Sequence, residues 1–103
     1  MAQHNELGHT GEELAKQYLV EKGYLIRDCN WRSGKYELDI VAEYGNTLVV
    51  VEVKTRSNEL FARPFDAVDE KKIRRTVMAA SSYVFKYRIN LDVRFDIIGI
   101  IPE

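Results

Sequence analysis

Cysteine is nearly missing from this chain: Cys29 is the only one among 103 residues. It has no partner for an internal disulfide and no cysteine neighbours with which to bind a metal. A disulfide scaffold and a zinc ribbon are therefore excluded, and a cytoplasmic, reducing setting fits. Long apolar runs are missing as well. The longest, Ile97-Ile98-Gly99-Ile100-Ile101, is far shorter than the roughly 20 residues that span a bilayer. The N-terminal MAQHNELGHT is polar and has no signal-peptide core, so no membrane partner is expected. There are two prolines, no Gly/Ser/Pro-rich linker and no internal repeat, so residues 1–103 read as a single domain. With 46% hydrophobic and 30% charged residues, the composition supports a folded core rather than disorder.

What is present is an uneven distribution of charge. Residues 1–53 carry five Lys or Arg against nine acids, whereas residues 54–94 carry ten against five. Two ordinary solvated faces would produce this. So would an acidic site flanked by a basic surface, which suits a polyanion approached through metal ions.

Leu14, Ala15, Tyr18 and Leu19 recur at helical spacing. Thr10 with Glu13 matches a capping box and Gly23 is placed as a stop, which predicts a helix over 10–22. Tyr24 to Asp28 reads as a short strand, with Asn30, Ser33 and Gly34 in the loop that follows. Tyr36 to Tyr44 and Thr47 to Thr55 read as two strands joined by a two-residue turn at Gly45-Asn46. RSNELFARPF, broken by Pro64, reads as a loop. Ile73, Val77, Ala80 and Val84 mark a second helix over 68–87 with a basic KKIRR face, and LDVRFDIIGII a last strand. Three antiparallel strands followed by a crossover helix return the fourth strand parallel to one of them. The expected fold is α/β, in the order αβββαβ, with helices flanking a mixed four-stranded sheet.

A turn at Gly45-Asn46 sets Tyr44 opposite Thr47. Extending that register places Asp39 opposite Glu52 and Glu37 opposite Lys54. Alternation then groups Leu38, Ile40, Ala42, Tyr44, Val49, Val51 and Val53 on one face, and the four charged residues on the other. Directly opposed Cβ atoms are about 4.5–5.5 Å apart, and like charges so placed are destabilising. Three devices would neutralise the acids: Lys54, a shared proton, or a hard divalent cation such as Mg²⁺ or Mn²⁺ completed by water and phosphate oxygens. A mixed-charge exposed face is the plainer reading. Yet Glu52 and Lys54, two apart, point the same way. An ammonium beside two acids and a cation is the set that phosphodiester hydrolysis needs.

Asp39 … Glu52-Val53-Lys54 resembles the D…(D/E)-x-K core of the PD-(D/E)XK nuclease superfamily, and αβββαβ resembles its restriction-endonuclease-like core. More closely, the chain resembles the YraN-like family, small bacterial proteins described as predicted endonucleases. The likeness runs through GHTGEELA, Asn30-Trp31-Arg32, YELDIVA, VVVEVKTR, KKIRR and RFDIIGI, nearly the whole chain. It implies a Mg²⁺-dependent endonuclease acting on DNA rather than RNA, with branched or otherwise structured DNA as the candidate substrate. Asp39 and Glu52 would be metal ligands and Lys54 the catalytic lysine. Glu12 matches a helix-borne glutamate that completes the site in related archaeal Holliday-junction resolvases, and would join Asp39 and Glu52 as a metal ligand. Glu12 is equally explained by the dipole of a helix starting at Thr10. Tyr36 stands where the family usually has glycine.

Arg32, Arg56, Arg63, Lys71, Lys72, Arg74 and Arg75 are candidate phosphate contacts, or simply solvated. His4 and His9 are not read as ligands. Tyr18, Tyr24, Phe95 and Ile97 are read as core, and Arg94 with Asp96 as a surface pair. The alternative is a non-catalytic nucleic-acid-binding or scaffold module keeping the same fold, or a protein–protein adaptor. A chain this small needs a partner or a second copy of itself to grip a duplex.

Overall fold

Valine and isoleucine crowd the middle of the sequence, and their branched side chains favour extended backbone. The computed structural model describes residues 3–55 and 70–101, with the side chains of 3–10 excepted. Helix α1 (Gln3–Glu21) leads into β1 (Leu25–Ser33), β2 (Tyr36–Tyr44) and β3 (Thr47–Thr55). Helix α2 (Glu70–Tyr87) and β4 (Asp92–Ile100) follow. The sheet order is β1-β2-β3-β4. The first three strands are antiparallel and β4 runs parallel to β3. This is the expected α/β arrangement, consistent with a restriction-endonuclease-like core. No helix among the described residues is long and apolar enough to cross a membrane. The expected loop over 56–65, with Arg56 and Arg63, lies outside the described residues, as do the side chains of His4 and His9.

Helix α1 starts earlier than the capping box predicts, so Thr10 is not its N-cap and Glu12 lies well inside it. Glu13 instead pairs with Lys16 at 2.7 Å, one turn on. The helix does end where Gly23 predicts. Gly23 takes a φ of 93°, Tyr24 N–H bonds the Leu19 carbonyl at 2.9 Å, and Gly23 N–H bonds that of Val20 at 3.0 Å. This is the paired closure that a left-handed residue after a helix allows. Strand β1 is longer than expected, because the chain turns at Gly34-Lys35 and Asn30 and Ser33 remain in the strand.

The core has two halves. On one face Ala15 and Leu19 of α1 cover Ile40, Val49 and Val51. On the other, Ala79, Ala80 and Tyr83 of α2 cover Leu38, Val41, Leu48 and Val50. Residues 48–51 are buried in succession, as strands covered on both faces must be. At about 1.5–3 kcal/mol for each aliphatic side chain, these positions dominate the fold's stability. The face expected to be polar is thus apolar along most of its length.

Leu38 departs from the expected grouping. Cys29 and Ile40 face each other, with Ile40 under α1. Trp31 and Leu38 face each other, and both pack toward α2. Between them the alternation slips at Asn30, whose φ of 52° is left-handed, a conformation Asn tolerates because its short polar side chain bonds locally. Tyr18, Phe95 and Ile97, expected in the core, are 52%, 47% and 37% exposed. At the β4 edge of the sheet, Ile98 and Ile100 pack toward α1, whereas Val93, Phe95 and Ile97 on the other face stay partly exposed.

Candidate active site

The hairpin register holds from Tyr44↔Thr47 to Ile40↔Val51 and stops there. One residue further, the Asp39 side chain takes over the backbone's role. Its Oδ2 accepts a hydrogen bond from Val53 N–H at 2.8 Å. The strands part where the sequence places its acids, so Asp39 and Glu52 are neighbours through their side chains rather than as a ladder pair. Glu37, expected opposite Lys54, lies opposite Arg32 on β1 instead and pairs with it at 3.0 Å.

The Asp39 carboxyl is half-buried, and burial is the main force that raises its pKa, to about 7. The Val53 N–H pulls the other way. The charge of Glu52, a hydrogen bond between the two carboxyl groups, and the more distant charge of Glu12 push it up further. Burial and the neighbouring carboxylate thus favour a proton on Asp39, hydrogen-bonded toward Glu52, and a cation bound there would displace it. Glu52, with its side chain 12% exposed, has the nearer cation in Lys72 at 2.9 Å, with Lys54 at 3.8 Å. Its bond to Glu52 holds the Lys72 ammonium charged, above its ordinary pKa. Of the three neutralising devices, two are present, and the closer lysine comes from α2 rather than from the strand.

Glu12 is held from β1. Asn30 Nδ2 donates to its Oε1 at 3.0 Å, so the left-handed residue also anchors the helix-borne acid. Gly11 is buried beside Thr55, and a Cβ there would collide with the Thr55 hydroxyl. Helix α1 thus approaches the end of β3 closely because residue 11 has no side chain. Among the described residues, no three His, Cys, Asp or Glu side chains close into a ready-made metal cage.

Asp39 and Glu52 supply adjacent hard oxygen donors. This chemistry fits a divalent cation that draws its remaining ligands from water and phosphate. Arg32 is exposed and paired with Glu37. Lys71, Arg74 and Arg75 line the exposed side of the first turns of α2, Arg74 within 3.8 Å of Glu70. Sequence reasoning missed three parts of the site: Lys72 as a partner of the acids, Asn30 as the support of Glu12, and Gly11 as the spacer. A left-handed Asn leaves no periodic signal, and a lysine in a basic run gives none of its partner.

The sequence pattern of one family matches residues 11–100, from Gly11 to the end of β4. The chain belongs to the uncharacterised protein family UPF0102. This agrees at family level with the YraN-like resemblance. A UPF0102 protein of Bacteroides thetaiotaomicron is 61% identical over 103 residues, covering all of this chain and 85% of the relative. One of Phocaeicola vulgatus is 56% identical with the same coverage. One of Porphyromonas gingivalis is 48% identical over 101 residues, 98% of this chain and 75% of the relative. The UPF0102 match takes in Glu12, Asn30, Asp39, Glu52, Lys54 and Lys72 together.

Proposed function

We infer that this UPF0102 chain is a metal-dependent nuclease domain of the PD-(D/E)XK type, working in the cytoplasm and hydrolysing phosphodiester bonds in DNA, with branched or otherwise structured DNA as its substrate. The observation that carries this reading is the pair Asp39 and Glu52, set side by side where two strands part and flanked by Lys54 and Lys72. Asp39 and Glu52 would hold Mg²⁺ or Mn²⁺, with Glu12 within electrostatic reach. A cation held there supplies Lewis acidity toward a phosphate oxygen. Lys54 places a positive charge where a phosphate gains negative charge as it is attacked. Val53 N–H keeps the Asp39 carboxylate oriented. Lys72 offsets Glu52 until substrate arrives. Lys71, Arg74 and Arg75 present positive charge along the same helix, suited to the phosphates on either side.

The test is cleavage of labelled branched, single-stranded and duplex DNA by purified protein in Mg²⁺ or Mn²⁺, alongside Asp39→Asn and Lys54→Ala. Each variant should lose at least about a hundredfold in rate, as expected when a group acting on the reacting phosphate is removed. Metal-dependent cleavage that both variants retain would sink the reading. A second reading rests on the ion pairs themselves. Glu52 already has Lys72 and Glu12 already has Asn30, so the acids would serve a non-catalytic nucleic-acid-binding module. Salt-dependent DNA binding without turnover in either metal would favour it.

A further inference from the structure

The two edges of the sheet are built differently. β1 is broken by a bulge between Ile26 and Asp28 and by the left-handed Asn30, irregularities of the kind that discourage a further strand from adding. β4 has no such break. Its pairing with β3 runs unbroken from Asp92 to Ile100, and among the described residues no strand neighbours its outer side. On the α2 side it exposes Val93, Phe95 and Ile97, at 39%, 47% and 37%. These residues line a groove shared with Ile73 and Val77 of α2. A regular edge strand with an apolar row is a template for pairing.

The residues along that edge identify the occupant. Read outward from Phe95, the chain carries Arg94 and Asp96, then Val93 and Ile97. We propose that two copies of this chain join through β4, antiparallel about a two-fold axis at Phe95, so that one sheet continues through both subunits. In that register Arg94 lies opposite Asp96 of the partner subunit, and Asp96 opposite Arg94 of the partner subunit. On the other face Val93 meets Ile97 of the partner subunit, and the two Phe95 rings meet at the axis. A two-fold interface requires this self-complementarity, in which residue i meets j and j meets i. Within one subunit Arg94 already grips Asp96, at 2.8 and 3.0 Å, and its other contact is the Tyr24 hydroxyl at 2.8 Å. Pairing would join two such clusters into a network of four alternating charges. Asp92, which would fall opposite Ile98 of the partner subunit, is the one mismatch and lies at the end of the strand. None of this depends on the nuclease reading.

The experiment is sedimentation equilibrium of the full chain, wild type and variants, with circular dichroism as the check on folding. The wild type should be a dimer. Arg94→Asp or Asp96→Arg sets like charges opposite each other twice per interface. Each should weaken association on the order of a hundredfold or more, because such juxtapositions cost several kcal/mol and about 1.4 kcal/mol is tenfold. The double reversal, Arg94→Asp with Asp96→Arg, restores the complementarity and should restore the dimer. Phe95→Lys leaves Arg94 and Tyr24 untouched and should give a folded monomer, so it decides the matter if the charge variants do not fold. A monomeric wild type overturns the proposal and leaves the edge to a strand of some other protein. So does a dimer that survives Phe95→Lys, or one that the single reversals leave intact.

Discussion

The two ends of the β2–β3 pair are made from the same strands and behave oppositely. At the closed end, from Ile40 to Val51, every residue is paired across the turn, and Ile40, Val41 and Ala42 with Leu48 to Val51 are buried under helices. At the open end the ladder stops. A carboxylate replaces a backbone acceptor, and Asp39, Glu52, Lys54 and Lys72 gather within reach of water. The difference teaches where such a fold can carry charge. An ionised acid inside the closed end would face a desolvation cost with nothing to offset it. At the open end, the Val53 N–H, a helix lysine and solvent share the burden. The stabilising half and the chemically able half of one hairpin are separated by a single residue step, from Ile40 to Asp39.

Breaking the closed end should have the largest effect. Leu48 is fully buried between β3 and α2. Leu48→Ala should therefore cost about 2–5 kcal/mol, read as a lower urea midpoint at every pH. The open end should respond in the opposite sense. Asp39→Asn keeps an acceptor for Val53 N–H and removes a half-buried charge, so at about pH 8 it should stabilise the fold, by on the order of 1–3 kcal/mol.

The pH dependence separates the two ends further. The folded state holds the Asp39 proton up to about pH 7, whereas an unfolded aspartate releases it near pH 4. Between those values the folded chain binds more protons than the unfolded one, so stability falls as pH rises and levels off above about 7. Thermal melts should show the wild type losing ground to Asp39→Asn across that window, with the two converging at the acid side. Mg²⁺ at pH 8 should then raise the wild-type midpoint and leave the variant's unchanged, because only the wild type offers both carboxylates. A wild-type profile parallel to that of the variant would remove Asp39 as the titrating group.

Lys72 sharpens the comparison more gently. Its side chain is more than a third exposed, so its bond to Glu52 is worth about 1 kcal/mol after screening by water. Lys72→Met should cost that much at low salt, and less at high salt, which screens a partly exposed pair. Urea denaturation at two ionic strengths measures the difference directly.

The closed end was legible in the sequence and the open end only in part. Gly45-Asn46 and the alternation on either side of it predict the register, and Tyr44↔Thr47 through Ile40↔Val51 follow it. Local chemistry sets those pairs, so local reading finds them. Asp39, Glu52 and Lys54 could also be picked out, because acids interrupt an apolar run. Two things could not be read. The alternation slips at the left-handed Asn30 on β1, and Leu38, paired with Trp31, lies on the face opposite Ile40; a left-handed residue is set by what surrounds it. Lys72 reaches Glu52 only because α2 crosses the end of β3, and a run of basic residues looks the same whether or not a carboxylate waits opposite. The capping box at Thr10 misled for a related reason. It is a valid start signal, and the helix extends past it to Gln3.

The smallest effect tests how closely the open end is held. Gly11 costs helix α1 about 0.5–1 kcal/mol relative to alanine, and its place is explained by the Thr55 side chain against which it lies. Gly11→Ala should therefore gain helix propensity and lose it again in the collision, leaving a net destabilisation below about 1 kcal/mol. In a Thr55→Ala background the collision is gone, and the same substitution should become stabilising. The reversal of sign between backgrounds is the informative quantity, since a double-mutant cycle isolates the contact from everything else either change does. If Gly11→Ala shifts the midpoint equally in both backgrounds, residue 11 does not set the distance between α1 and the end of β3. The approach of Glu12 to Asp39 would then have to be explained by the Asn30 bond alone.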